Sequence, residues 1–231
     1  AMDLFLTMAG EYSRFKNEGY QIPKFLLPWG HRTILSELLN QFMDYKFDNV
    51  YLIMHKKDMD YYNHIQKTCD YYTSGNFKII VIDDTNSQSE TLLRGIEKSN
   101  SQSRFIVHNI DTILYNRDYL RINNELNNAD GYIDLFSSQN HKYSYVLRDN
   151  NTITNISEKI LISNEATSGL YGFSSTETYR KYYVDGYISQ IYDKMIKDDK
   201  RIVSGDVHND NDTIVLGTPH EYTNLVKLKL R

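Results

Sequence analysis

Cysteine is almost absent from this chain, with Cys69 the one thiol in 231 residues. A lone cysteine excludes an internal disulfide framework and any cysteine-rich zinc site, and it fits a reducing compartment. Cys69 itself reads as a packing residue. No apolar run reaches the roughly 18 residues of a membrane span. The start lacks the basic flank and cleavage site of a secretion signal. A cytoplasmic location without membrane insertion is therefore expected, with Ala1, ahead of Met2, set aside as an added residue. A basic field is missing too. The formal charge of −4 gives no global surface for a polyanion, so nucleic acid is not an expected partner.

What is present suffices for one substantial core, since 40% of the residues are apolar and no linker, repeat or low-complexity stretch divides them. We expect one domain over 1–231, with a first half of about 1–130 and a second of 131–231. Leu4 to Met8, Val50 to Met54, Lys78 to Ile82 and Arg104 to Val107 are short runs rich in β-formers and read as buried strands. Helices are expected between them. The clearest carries the stripe Ile34, Leu35, Leu38, Leu39, Phe42 and Met43 at the 3.6-residue period, with Thr33 as its cap. Others are expected over 58–68, from near Glu90, and over 117–127. The alternation predicts an α/β fold with a Rossmann-like, mostly parallel central sheet flanked by helices.

Beyond Asp130 the texture becomes strand-like, over 132–136, 143–148, 152–158 and 168–173. The turn signal Asp149-Asn150-Asn151 predicts a hairpin and hence added mixed or antiparallel strands. Ile188, Ile191, Tyr192, Met195 and Ile196 share one helical face. A last strand over 213–216 leads through Gly217-Thr218-Pro219 into a terminal helix.

The chemistry concentrates after the first strand, where Ala9-Gly10-Glu11-Tyr12-Ser13-Arg14-Phe15 is followed by Pro23-Lys24. A glycine-bearing loop at the carboxyl end of a strand can turn backbone N–H groups toward phosphate oxygens, and Arg14 and Lys24 supply positive charge. Read alone, such a loop is more commonly a strand-to-loop turn with a solvated arginine. Asp111 follows a buried strand, where an aspartate is either a ligand for a cation or a helix cap. Glu158-Lys159 alone is a surface charge pair.

Taken together, Ala9-Gly10, Ser13-Arg14-Phe15, Gly19-Tyr20 and Pro23-Lys24 resemble the signature loop of the sugar-phosphate nucleotidylyltransferases. In the order of that family, Thr85 to Thr91 resembles its nucleobase loop and His108-Asn109-Ile110-Asp111 the strand end that holds its metal. Glu158-Lys159 resembles the pair that reaches the acceptor phosphate, Ser168 to Phe173 the glycine-bearing strand beside the substrate, and Leu216-Gly217-Thr218-Pro219 the closing motif. The resemblance implies a reaction in which an acceptor phosphate attacks the α-phosphorus of a nucleoside triphosphate and pyrophosphate leaves. It implies catalytic roles for Arg14, Lys24 and Asp111, with Asp111 on Mg²⁺. It places Ala9, Gly10, Ser13, Gln88, Ser89, Asn109, Glu158, Lys159 and Gly169 at the substrates. A sugar 1-phosphate acceptor, for precursors of capsule or surface polysaccharide, is the leading expectation, with phosphocholine behind it. Self-association into a homo-oligomer is left open.

Three positions depart from that pattern. Tyr12 and Ser87 stand where glycines are usual, and Val215 stands where many relatives carry a second metal-binding aspartate. Asp210 or Asp212 could substitute for it, or could belong to a turn. A non-catalytic nucleotide- or sugar-binding paralogue and a GT-A-type glycosyltransferase remain as alternatives. An exposed acid such as Asp111 is expected to contribute little to folding.

Overall fold

A computed structural model describes the backbone of residues 1–229 and the side chains through Lys227. In chain order its elements are β1 (Asp3–Met8), α1 (Ser13–Asn17), β2 (Pro28–Trp29), β3 (Arg32–Thr33), α2 (Ile34–Phe42), β4 (Val50–His55), α3 (Tyr62–Thr73) and β5 (Phe77–Ile82). They continue with α4 (Gln88–Ser99), β6 (Phe105–Asn109), β7 (Thr112–Leu114), α5 (Tyr119–Glu125), β8 (Gly131–Ser137), β9 (Ser144–Asp149) and β10 (Thr152–Glu158). The last are β11 (Glu165–Phe173), α6 (Thr176–Tyr182), α7 (Ile188–Lys197), β12 (Ile202–Val203), β13 (Thr213–Val215) and α8 (Pro219–Lys229).

One nine-stranded sheet runs through both halves in the order β5-β4-β1-β6-β11-β8-β12-β10-β9. β5, β4, β1 and β6 are mutually parallel, whereas β11 runs antiparallel to β6 and β8, and β9 and β10 form the expected hairpin. β1, β4 and β6 are buried on both faces, their side chains alternating between two apolar layers, while β5 is the partly exposed edge strand. Leu4, Leu6, Met8, Leu52 and Met54 pack into one layer with α2 and α5 residues such as Leu38 and Ile122. Phe5, Tyr51, Ile53, Phe105 and Val107 pack into the other, with Leu92, Tyr179 and Tyr192 from α4, α6 and α7. α4 lies so close to the sheet that a Cβ on Gly95 would sit 2.1 Å from Ile53 Cδ1. Among the described residues no helix is long and apolar enough to cross a membrane.

Local chemistry sets the helix starts. Thr33 caps α2 in a reciprocal box with Ser36, accepting from its N–H at 3.1 Å while the Ser36 hydroxyl accepts from Thr33 N–H at 2.8 Å. The helix expected over 58–68 begins later and runs further. His55 Nδ1 accepts from Lys57 N–H at 2.9 Å, the chain then makes a 3₁₀ turn over Lys56–Tyr61, and the α-helix occupies Tyr62–Thr73. The helix expected over 117–127 contracts to α5, capped by the Asp118 side chain. Helix α6 went unanticipated, since it exposes much of its short length and shows little apolar period.

β6 also buries a titratable ring. His108 is fully buried, and neither ring nitrogen meets a hydrogen-bond partner among the described residues. Burial pushes its pKa down from 6.5 to about 4, so the folded protein holds it neutral while the unfolded chain protonates it. Stability should therefore fall as pH drops from 6.5 toward 4, by up to on the order of 3 kcal/mol from this group. His108→Leu, of similar volume, should flatten that part of the curve in denaturant titrations across the window. An unchanged difference between pH 6.5 and 4.5 would contradict this origin.

Candidate active site

β1, β4 and β5 step outward in one direction from β1, and the chain then returns to place β6 on the other side of it. At such a reversal the loops leaving neighbouring strands diverge and open a crevice at the carboxyl edge of the sheet. A cleft of about 790 Å³ lies there, large enough for a nucleotide. Ala9, Gly10, Ser13 and Arg14 line it from the loop after β1, His55 from β4, Asp84 to Gln88 from the loop after β5, and Asn109 and Asp111 from the end of β6. Lys24 and Gly217 complete that side, and Gly186 and Tyr187 approach from the second half of the chain.

Lys24 opens a 3₁₀ turn behind Pro23, whose φ of −55° suits that entry, and the buried Phe25 and Leu26 draw the turn inward. Its ammonium is thereby brought under cover, with the side chain 4% exposed, 4.8 Å from the centre of the Phe15 ring. Nζ donates to Asp111 Oδ1 at 2.5 Å. Asp111, half exposed, is held by its own surroundings. Its N–H donates to Asn109 Oδ1 at 3.0 Å, and its carbonyl accepts from Leu216 N–H at 2.6 Å. The closing Leu216-Gly217 segment thus pins the acid across the cleft floor. Gly169 has φ +100°, and a Cβ there would come within 3.1 Å of the Asn109 amide, so the glycine leaves room for the residue that orients Asp111.

The departures from the expected pattern have specific local explanations. Tyr12 does adopt the left-handed conformation usual for glycine, at φ 55° and ψ 32°. Ser87 has φ −160°, extended backbone that needs no glycine, and its hydroxyl caps α4 by accepting from Glu90 N–H at 3.2 Å. Val215 pairs with Thr112, next to Asp111, and packs against the buried cluster of Phe136, Tyr145 and Ala166 instead of offering an oxygen. Asp210 and Asp212 lie in a 3₁₀ turn capped by Asn209, and neither lines the cleft. Among the described residues no cluster of three or more acidic, histidine or cysteine side chains could hold a metal by itself. A cation held at Asp111 would take most of its oxygens from substrate and water, an arrangement magnesium accepts.

Four of the expected substrate contacts do not line this cleft. Ser89 is fully buried, where its hydroxyl donates to Val184 O at 2.6 Å and accepts from Gly186 N–H at 2.8 Å. It ties the segment carrying Tyr187 to the first half of the chain and faces no cleft. Glu158 accepts from Ser144 and from Ser189 Oγ, the latter at 3.0 Å, and is spent on holding α7. Lys159 reaches the cleft edge only through Tyr187, donating to its hydroxyl at 3.2 Å. Gly169 acts behind Asn109. No sequence signal points to His55, Asp84 or Tyr187. His55 Nδ1 is occupied by Lys57 N–H, so Nε2 carries the hydrogen and donates to Asp84 Oδ1 at 2.5 Å, fixing a carboxylate beside the loop after β5.

No family model matches the sequence, and no curated protein sequence matches it. Solved structures do. A nucleoside-diphosphate-sugar pyrophosphorylase from Vibrio cholerae RC9 aligns over 98% of this chain and 100% of its own, with TM-score 0.85 and 23% identity. A UDP-glucose pyrophosphorylase solved with UDP-glucose aligns over 100% and 99%, with TM-score 0.78 and 15% identity. The inositol-1-phosphate CTP transferase of T. maritima aligns over 99% and 97%, with TM-score 0.73 and 12% identity. The chain has the nucleotidylyltransferase fold.

Proposed function

We propose that this protein is a nucleotidylyltransferase that joins a nucleoside triphosphate to a phosphorylated small molecule, a sugar 1-phosphate, and releases pyrophosphate. The observation that carries the reading is the meeting of Arg14, Lys24 and Asp111 in one cleft with the loop from Asp84 to Gln88. Neighbouring strands lie about 4.8 Å apart, so the loops after β5 and β6 stand roughly 14 Å apart across three strand steps. That span accommodates a base at the β5 end and phosphates between β1 and β6.

The reaction needs alignment and charge neutralisation more than proton transfer, because an acceptor phosphate is already an anion. Its oxygen forms a bond to the α-phosphorus as the bond to the bridging oxygen breaks, and the electron pair leaves with pyrophosphate. Lys24 stabilises charge at the α-phosphate and Arg14 meets the leaving phosphates. The cleft lining carries Glu11, Asp84 and Asp111 against Arg14 and Lys24, so two cations face three carboxylates before any triphosphate arrives. Mg²⁺ on Asp111 would supply the missing positive charge. Lys159, at the cleft edge, serves the acceptor phosphate, and the product serves as a precursor for surface polysaccharide.

The test is pyrophosphate release with each common nucleoside triphosphate against a panel of sugar 1-phosphates and phosphocholine. Release is expected for one pairing and should cease in excess chelator. Silence across the panel would favour the non-catalytic reading, and transfer from a nucleotide sugar without pyrophosphate would favour a glycosyltransferase.

A further inference from the structure

Tyr12 lines the cleft, and a set of contacts that hold the phosphate-facing loop begins at its side chain. A non-glycine residue at φ 55° is strained, and a bare loop would escape the strain by changing conformation. Here the side chain prevents that. The Tyr12 hydroxyl donates to Met8 O at 2.6 Å and lies 3.4 Å from Asp58 Oδ2, closing the loop back onto the end of β1 and onto the turn after β4. One face of the ring carries the Lys57 ammonium at 4.8 Å, and the ring meets Phe25, next to Lys24, edge-on at 6.1 Å. The same Lys57 Nζ donates to Gly10 O at 2.6 Å and pairs with Asp58 at 3.6 Å. Lys57 is not among the residues lining the cleft.

These contacts occupy the outward-facing groups of the loop, the Gly10 carbonyl among them. Among the described residues the N–H groups of Gly10, Glu11, Tyr12 and Ser13 donate to no protein acceptor. A left-handed residue between others of ordinary hand curls successive N–H groups toward one side, making a concavity suited to an anion. We infer that Tyr12 is a positioning residue which, with Lys57 and Asp58, latches the Gly10–Arg14 loop in its phosphate-binding shape before the triphosphate arrives. A glycine could reach the same backbone angles but could not hold them. Tyrosine exchanges a small conformational cost for preorganisation, and binding then orders less of the chain.

The inference rests on the proposed nucleotide site but not on its catalysis, and inorganic tripolyphosphate with Mg²⁺ probes the loop without base or acceptor. Calorimetric titration of the full chain should show binding that weakens about 3- to 10-fold in Tyr12→Phe, the effect of one hydrogen bond. The dependence on salt should keep its slope, since no charge is removed. Tyr12→Gly should bind more weakly than the natural chain although it is free of strain. With a nucleoside triphosphate, Tyr12→Phe should raise KM and leave kcat within about 2-fold, because the loop meets charge already present before reaction. Natural-strength tripolyphosphate binding by both variants, with unchanged melting temperatures, would overturn the latch even if pyrophosphate release were confirmed. Absence of tripolyphosphate binding by the natural chain would overturn it as well. Tripolyphosphate binding with the expected loss in Tyr12→Phe, but no pyrophosphate release from any nucleotide, would sustain the latch and sink the proposed catalysis.

Discussion

Asp111→Asn is expected to lower pyrophosphate release by on the order of 10²- to 10³-fold, the scale on which removal of one aligned electrostatic group acts. It should also raise the Mg²⁺ concentration needed for half-maximal rate. Among the cleft carboxylates Asp111 is the one set beside Lys24 at the end of β6, whereas Asp84 is held by His55 on the β5 side, Val215 offers no oxygen, and Asp210 and Asp212 lie in a turn outside the cleft. The amide keeps an oxygen for Lys24 Nζ but loses the charge. Asp111→Ala should behave differently in folding. Lys24 is 3% exposed, and removing its partner leaves a covered ammonium with no acceptor. A loss of about 1–2 kcal/mol is expected, below the 3–5 of a fully buried pair because Asp111 is half exposed. Steady-state assays over a range of Mg²⁺, with denaturant unfolding of both variants, check the two halves separately. An Asp111→Asn enzyme of ordinary rate and metal requirement would remove this acid from the mechanism.

That stability expectation reverses the one drawn from the sequence, and the reason shows what a sequence can carry. Lys24 is legible as a cation after proline, but its burial comes from Phe25 and Leu26 turning inward and from Asp111, 87 residues away, reaching over it. Contacts within one loop were legible: Thr33 capping α2, the Asn150 turn, and the glycine and charges after β1. Strands β1, β4 and β6 were legible because burial on both faces favours apolar runs, and the edge strand β5 because Ile79 to Ile82 is an unbroken run of β-formers. His55 with Asp84 was not, because the two residues belong to different strand ends, 29 positions apart, and neither stands out in a polar loop. Ser89 shows the opposite failure. Small hydroxyls look alike whether they face a ligand or tie down a neighbouring backbone, and this one ties down Val184 and Gly186. Tyr12 stands out in the sequence only as a departure from glycine, because its place is legible while its hydrogen bond to Met8 is not.

Lys24→Met is expected to separate catalysis from folding most sharply. Charge and geometry change most at the α-phosphorus as the acceptor oxygen adds, so a cation there is worth more in the transition state than in the ground state. Its loss should cut kcat by on the order of 10²- to 10³-fold, about 3–4 kcal/mol, with a smaller change in the KM of the triphosphate. Arg14, exposed at the cleft mouth, meets phosphate charge that exists before reaction, and Arg14→Ala should raise that KM as well. Folding should move the other way from Asp111→Ala. Methionine fills the lysine's apolar path beside Phe15 without a charge to cover, and the abandoned Asp111, 54% exposed, can be hydrated. Lys24→Met should therefore unfold at the same or a higher denaturant concentration than the natural chain. A stable variant with near-natural kcat would show that the lysine only anchors the acid, and that charge stabilisation at the α-phosphate comes from elsewhere in the cleft.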